Sequence, residues 1–165
     1  MLSSWTPAGS YRERYPSRTR EIDGVTVRVA APPEGVGGIY LDNAVCDLRS
    51  WPGGLGRGKG APAEWRQLLD IYGLDATDLD GVAAVSPISK LAPLAAARIP
   101  LLVAYGDADH AVPADENSEP LLAKYTELGG PSEAVVRPGA DHHPHGIAPA
   151  LVQAFFEKTI TPDGR

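Results

Sequence analysis

Residues 99–113, Ile-Pro-Leu-Leu-Val-Ala-Tyr-Gly-Asp-Ala-Asp-His-Ala-Val-Pro, constrain the fold of this chain more than any other stretch. The residues after Pro100 are apolar or aromatic for the length of a strand. A half-exposed strand would alternate, so the unbroken run predicts a central parallel strand buried on both faces. Gly106 ends the run, and a polar loop follows in which Asp109 stands just past the carboxyl end of the strand. Open α/β sheets place ligands and reacting groups there, which makes Asp109 the candidate catalytic acid.

The remainder is compatible with one globular core. A chain of 165 residues with 43% hydrophobic and 22% charged side chains has enough apolar surface to bury. A net charge of -6 argues against nucleic acid or an anionic membrane as partner, since both require a basic footprint. A small uncharged or cationic ligand fits better. Cys46 is the only cysteine, so no intrachain disulfide forms and nothing marks an oxidising compartment. The start has no basic segment leading into an apolar one, and nowhere do about 18 apolar residues run together. The expectation is a soluble, cytoplasmic protein.

Taken in order, residues 1–20 carry Pro7, Gly9, Pro16 and several charges without an apolar period, and predict a loose arm. Val25, Val27 and Val29 alternate with Thr26 and Arg28 behind an Asp23-Gly24 turn signal, predicting an edge-type antiparallel strand that Pro32-Pro33-Glu34-Gly35 ends. The domain organisation expected is an N-terminal arm with one β-strand over 1–36, then an α/β domain over 37–165. A short strand at 38–41 leads into a polar loop at 42–47 and a glycine-rich loop at 51–60. Trp65, Leu68, Leu69 and Tyr72 recur at helical spacing, with Gly73 as the stop. Residues 74–81 read as an acidic loop, and a short helix follows over 91–98, opened by Pro93. Leu121, Leu122, Tyr125 and Leu128 line a helix closed by Gly129-Gly130, a strand follows at 134–137, and Leu151, Val152, Phe155, Phe156 and Ile160 form a closing amphipathic helix. A strand, helix, strand unit over 100–137 makes its two strands parallel, so the fold class is α/β with three parallel strands near 38–41, 101–105 and 134–137.

Parallel neighbours send their loops out at the same end. Asp109 and His142, distant in sequence, can therefore meet there. An acid that holds an imidazole in one tautomer and stabilises its imidazolium is the supporting half of a nucleophile, base and acid triad. Gly-Asp-Ala-Asp also has a plainer reading as turn chemistry, because aspartates bond to their own backbone.

These residues resemble a known family. Gly106-Asp107-Ala108-Asp109-His110-Ala111-Val112-Pro113 is similar to the acid loop of α/β-hydrolases, and Pro138-Gly139-Ala140-Asp141-His142-His143-Pro144-His145-Gly146 to their histidine loop. Asp42-Asn43-Ala44-Val45-Cys46-Asp47 through Trp51-Pro52-Gly53-Gly54 resembles a segment of a bacterial esterase-like branch. The resemblance spans about residues 37–160. It implies the later half of the α/β-hydrolase fold, hydrolysis of an ester or related acyl bond, and Asp109 as acid and His142 as base; no cofactor and no metal are expected. The family's nucleophile sits in a Gly-x-Ser-x-Gly elbow, and no serine here has glycines at both the -2 and +2 positions. Acyl transfer is expected to be very weak or absent for that reason. With the sheet shortened, the strand at 38–41 is expected to leave an apolar edge open to self-association.

Four alternatives belong beside this reading. Cys46 would be a thiol nucleophile, although a lone cysteine more often packs as a small hydrophobe. His142, His143 and His145, with Asp141 and His110, would ligate a metal, since imidazole and carboxylate suit zinc. Gly53-x-x-x-x-Gly58-Lys59 approaches a phosphate-cradling loop, but Gly60 replaces the hydroxyl that should hold magnesium. The last is a non-catalytic domain that binds a small acyl compound.

Overall fold

Six consecutive buried residues, Leu101–Gly106, form the middle strand of a three-stranded parallel sheet. The computed structural model describes residues 17–22, 25–30 and 36–160. In chain order the elements are β1 (Ser17–Ile22), β2 (Val25–Ala30), β3 (Ile39–Asp42), α1 (Pro62–Tyr72), α2 (Leu79–Val85), α3 (Leu91–Ala96), β4 (Leu101–Gly106), α4 (Ser118–Glu127), β5 (Ser132–Arg137) and α5 (Pro149–Ile160). The chain divides into two compact units, Met1–Val36 and Gly37–Arg165.

In the first unit β1 pairs antiparallel with β2 from Ser17↔Ala30 to Ile22↔Val25. The sequence leads one to expect a single strand here, with 1–20 as an arm. A strand at Ser17–Ile22 corrects that, because ladder pairing uses backbone groups and does not require the apolar alternation that β1 lacks. The Asp23-Gly24 turn signal and the Pro32–Gly35 stop lie outside the described residues.

In the second unit the order is β3, β4, β5, all parallel, with Leu41 opposite Val103 and Val103 opposite Ala134. Parallel neighbours need a crossover, and α4 supplies the one from β4 to β5. Leu101, Val103 and Tyr105 point from β4 into a core shared with Leu91 and Ala95 of α3, Leu121 and Tyr125 of α4, and Cys46. Leu102 and Ala104 point to the opposite face and are also buried, so the unbroken apolar run reflects cover on both sides. Phe155 of α5 is buried, and its ring lies against Gly38 at the start of β3.

Three helices depart from expectation. Residues 74–81 are not all loop: α2 begins at Leu79, with the Asp78 side chain capping the Gly81 N–H at 2.8 Å and Val82 fully buried. The acidic residues thus serve as cap and turn formers. Pro93 does not open α3 but sits in its first turn, where no intrahelical N–H is lost. In α1, Gly73 ends the helix in the left-handed conformation as expected, yet Tyr72 is 53% exposed although its spacing puts it in the apolar stripe. Leu128 and Leu151 are likewise exposed, each beyond the part of its helix that meets the core. Among the described residues, no helix is long and apolar enough to cross a membrane.

Candidate active site

Past Gly106 the chain turns sharply, and the Asp109 carboxylate is what holds the turn. Its Oδ1 accepts hydrogen bonds from the backbone N–H groups of Ala111 at 2.9 Å and Val112 at 2.7 Å. Its Oδ2 lies 2.8 Å from Nδ1 of His142. The turn-former and acid readings of Asp109 are therefore compatible, since each uses one oxygen. The Asp109 side chain is 1% exposed and that of His142 is 22% exposed. An ionised carboxylate only accepts, so the pairing puts the proton on Nδ1 and leaves the Nε2 lone pair available.

Beyond the sheet the two loops stay side by side, joined by further hydrogen bonds. Asp107 accepts from the Gly139 N–H at 2.6 Å, the Ala108 N–H donates to the Ala140 carbonyl at 3.1 Å, and the His110 N–H donates to Asp141 Oδ1 at 3.0 Å. The Asp109–His142 side-chain contact lies among these bonds. Gly106 permits this closeness, because a Cβ there would lie 2.1 Å from the Ala140 carbonyl oxygen.

Asn43, just past β3, ties all three strand ends together. Its N–H donates to the Ala104 carbonyl at 2.9 Å, its side-chain oxygen accepts from the Gly106 N–H at 3.0 Å, and its side-chain nitrogen donates to the His142 carbonyl at 2.7 Å. It is buried and takes a φ of 44°, a left-handed conformation that asparagine tolerates better than most residues. Its place in a polar loop after a strand is visible in the sequence; its bonds to residues far along the chain are not.

The loop of His142 is supported from below as well. Arg137, at the end of β5, donates to the carbonyls of Pro144 at 2.5 Å and Gly146 at 3.3 Å, and Asp42 accepts from the Gly146 N–H. Arg137 is opposite Gly106 and Asp42 opposite Ala104, so small residues on the middle strand leave room for the two charges to approach to 3.7 Å.

The backbone N–H groups of His110 and His142 hold the Asp141 carboxyl below the ordinary carboxylate range. A depressed folded-state value means that these bonds contribute stability above about pH 4 and lose it as the pH falls through the folded value. Acidification below about pH 4 is expected to shift the amide resonances of His110 and His142 together. Independent movement of the two would reject the link through Asp141.

Cys46 is buried, and burial followed by the nearby Asp47 charge pushes its thiol up to about 12, so it holds no reactive thiolate at neutral pH. Ser50 is also buried: its hydroxyl donates to Glu116 at 2.6 Å and accepts from Asn117 at 3.1 Å. The glycine-rich loop does embrace an anion, but an internal one, because the Arg57 N–H donates to the Glu116 carboxylate, which lies where a Cβ on Gly56 would be. His110 is exposed and faces Asp141, with 3.4 Å between its Nδ1 and Oδ2. His143 and His145 gather beside His142, and one ring nitrogen from each of the three lies within 4.8 Å of the other two.

Asn117 is a residue that the sequence pattern does not single out. Completely buried, it accepts from the N–H groups of Cys46 at 2.9 Å and Asp47 at 3.0 Å, and donates to Ser50 and to the Pro113 carbonyl. It braces the loop after β3 against the acid loop. Two depressions lie nearby. One of about 390 Å³ is lined by residues including Asp47, Ser50, Leu55 and Glu116 and contains neither Asp109 nor His142. The other, about 120 Å³, is lined by Arg57, Asp109, His110 and Pro113 among others. No family model matches the chain, and no curated protein matches it significantly.

Proposed function

We propose that this chain is of the α/β-hydrolase type, representing the later half of that fold, and that Asp109 and His142 support slow hydrolysis of a small ester or related acyl compound. The observation that carries this is the 2.8 Å contact between Asp109 Oδ2 and His142 Nδ1, made by loops leaving adjacent parallel strands. With Nδ1–H held by the carboxylate, Nε2 accepts a proton from water as the water oxygen attacks the acyl carbon. The ester C–O bond then breaks, and the proton on Nε2 passes to the departing alkoxide, giving one acid and one alcohol. No Gly-x-Ser-x-Gly segment is present to form an acyl-enzyme, so only the general-base contribution of about 10²- to 10⁴-fold is expected.

The test is turnover of a p-nitrophenyl acyl ester alongside labelling with a fluorophosphonate. His142→Ala is expected to reduce turnover to the buffer rate, and no residue is expected to label. Undiminished turnover in His142→Ala rejects His142 as base, and covalent labelling reveals a nucleophile that this mechanism lacks. A second reading, non-catalytic binding of a small acyl compound, is favoured by one observation: the 390 Å³ depression lies apart from the acid and the histidine. A folded protein without turnover leaves that reading in place.

A further inference from the structure

We infer that His142, His143 and His145 form a binding site for a divalent ion of the zinc class, with Asp109 as the carboxylate behind the first ligand. This goes beyond the acyl-hydrolysis reading and stands without it; with Nδ1 given to Asp109 both readings use Nε2 of His142, so a bound ion removes the general base. The three rings meet pairwise at centroid distances of 4.9, 4.8 and 4.5 Å and interplanar angles of 78°, 80° and 90°. The lone pair of an imidazole nitrogen lies in its ring plane. No pair of the three rings is stacked, so their in-plane lone pairs are not constrained to run parallel, and modest ring rotation can aim them at one ion.

One ring nitrogen from each histidine lies within 4.8 Å of those of the other two. Tetrahedral coordination at about 2.0–2.1 Å from each nitrogen requires separations of about 3.4 Å. Side-chain rotation closes that gap, because His143 and His145 are exposed and unconfined by core packing. The backbone that carries them need not move. It is held by Asn43 at the His142 carbonyl, by Arg137 at the carbonyls of Pro144 and Gly146, and by Asp42 at the Gly146 N–H.

Tautomer control points the same way. Metal-bound histidines commonly give their other ring N–H to a carboxylate, which orients the ring and raises its basicity. His142 already does so through Asp109, leaving Nε2 to the ion. His145 has Nδ1 4.0 Å from Asp42 Oδ2, within reach of the same arrangement after a small ring movement. Three neutral imidazoles, with no carboxylate or thiolate among the ligands, favour zinc, cobalt, nickel or copper over magnesium or calcium. Three protein ligands also leave a coordination position open.

The experiment is calorimetric titration of the intact chain with Zn²⁺ alone, and with Co²⁺ followed by visible absorption. One ion per chain is expected, with Co²⁺ developing the intense bands of a tetrahedral centre. His143→Ala and His145→Ala are each expected to weaken Zn²⁺ binding about tenfold or more, as is Asp109→Asn. His110→Ala, whose imidazole faces Asp141, is expected to bind like the parent. The exposed positions of His143 and His145 keep their variants folded, which matching thermal transitions without metal check. No binding by the parent chain, or equal binding by the parent, His143→Ala and His145→Ala, overturns the site. Weakening by His110→Ala as large as by His145→Ala overturns the ligand assignment. Because binding is read without any ester, absence of hydrolysis leaves this test intact.

Discussion

Gly106→Ala is expected to destabilise the second unit by about 3 kcal/mol, near the upper end for an overpacked site, and to remove any ester hydrolysis with it. The added Cβ would stand 2.1 Å from the Ala140 carbonyl oxygen, 2.8 Å from its carbon and 3.2 Å from the Ala140 Cβ. Two of these are backbone atoms, so no side-chain rotation relieves the clash. That same carbonyl accepts the Ala108 N–H, so parting the loops also costs a rung of the ladder that brings Asp109 to His142. Gly139→Ala separates steric from conformational causes. Its φ is 69° and nothing lies within 4 Å of the added Cβ, so only the left-handed backbone is penalised, by about 1 kcal/mol. Urea unfolding of both variants measures the difference, and a Gly106→Ala midpoint equal to that of the parent would refute the close approach of the loops.

Asn117→Ala is expected to cost a similar amount, about 3 kcal/mol, for a different reason. The substitution makes no clash. It leaves the N–H groups of Cys46 and Asp47 and the Pro113 carbonyl without the partner they have now, in a part of the molecule where Asn117 itself is fully buried. Each unmet buried group costs about 1–3 kcal/mol, partly offset where water enters. The thermal midpoint is expected to fall by on the order of 10 °C. A fall of only a degree or two would mean that the loop after β3 is held by something other than this side chain.

These two residues also show how far a linear reading reaches. Gly106 is legible as the end of a strand, because an apolar run stops there. That it must be glycine is not legible, since the obstacle is Ala140, on another strand's loop. Asn117 looks like any polar residue ahead of a helix, yet its side chain ignores its own helix and bonds to Cys46 and Asp47, 71 and 70 positions away. Asn43 is read as part of a polar loop, and its role as a link between Gly106 and His142 depends on two partners from different segments. The glycine-rich loop is recognisable as one that can surround an anion, but the anion is Glu116, which no local pattern announces. Strand β1 and helix α2 escape for a related reason: pairing and capping offset the poor local apolar pattern of each.

By itself, the sequence determined the three parallel strands, the order of helices α1, α3, α4 and α5, and the nearness of Asp109 and His142. Burial on both faces of β4 writes itself as an unbroken apolar run, and the helical crossover makes β4 and β5 parallel, so the loops that follow them leave at one end. Only the tertiary structure decided that Asp109 uses one oxygen for its own turn and the other for His142, and that three imidazoles meet edge to face above Arg137 and Asp42. Hydrogen-bond partners and ring packing are set by distance in space, and the chain records only distance along itself.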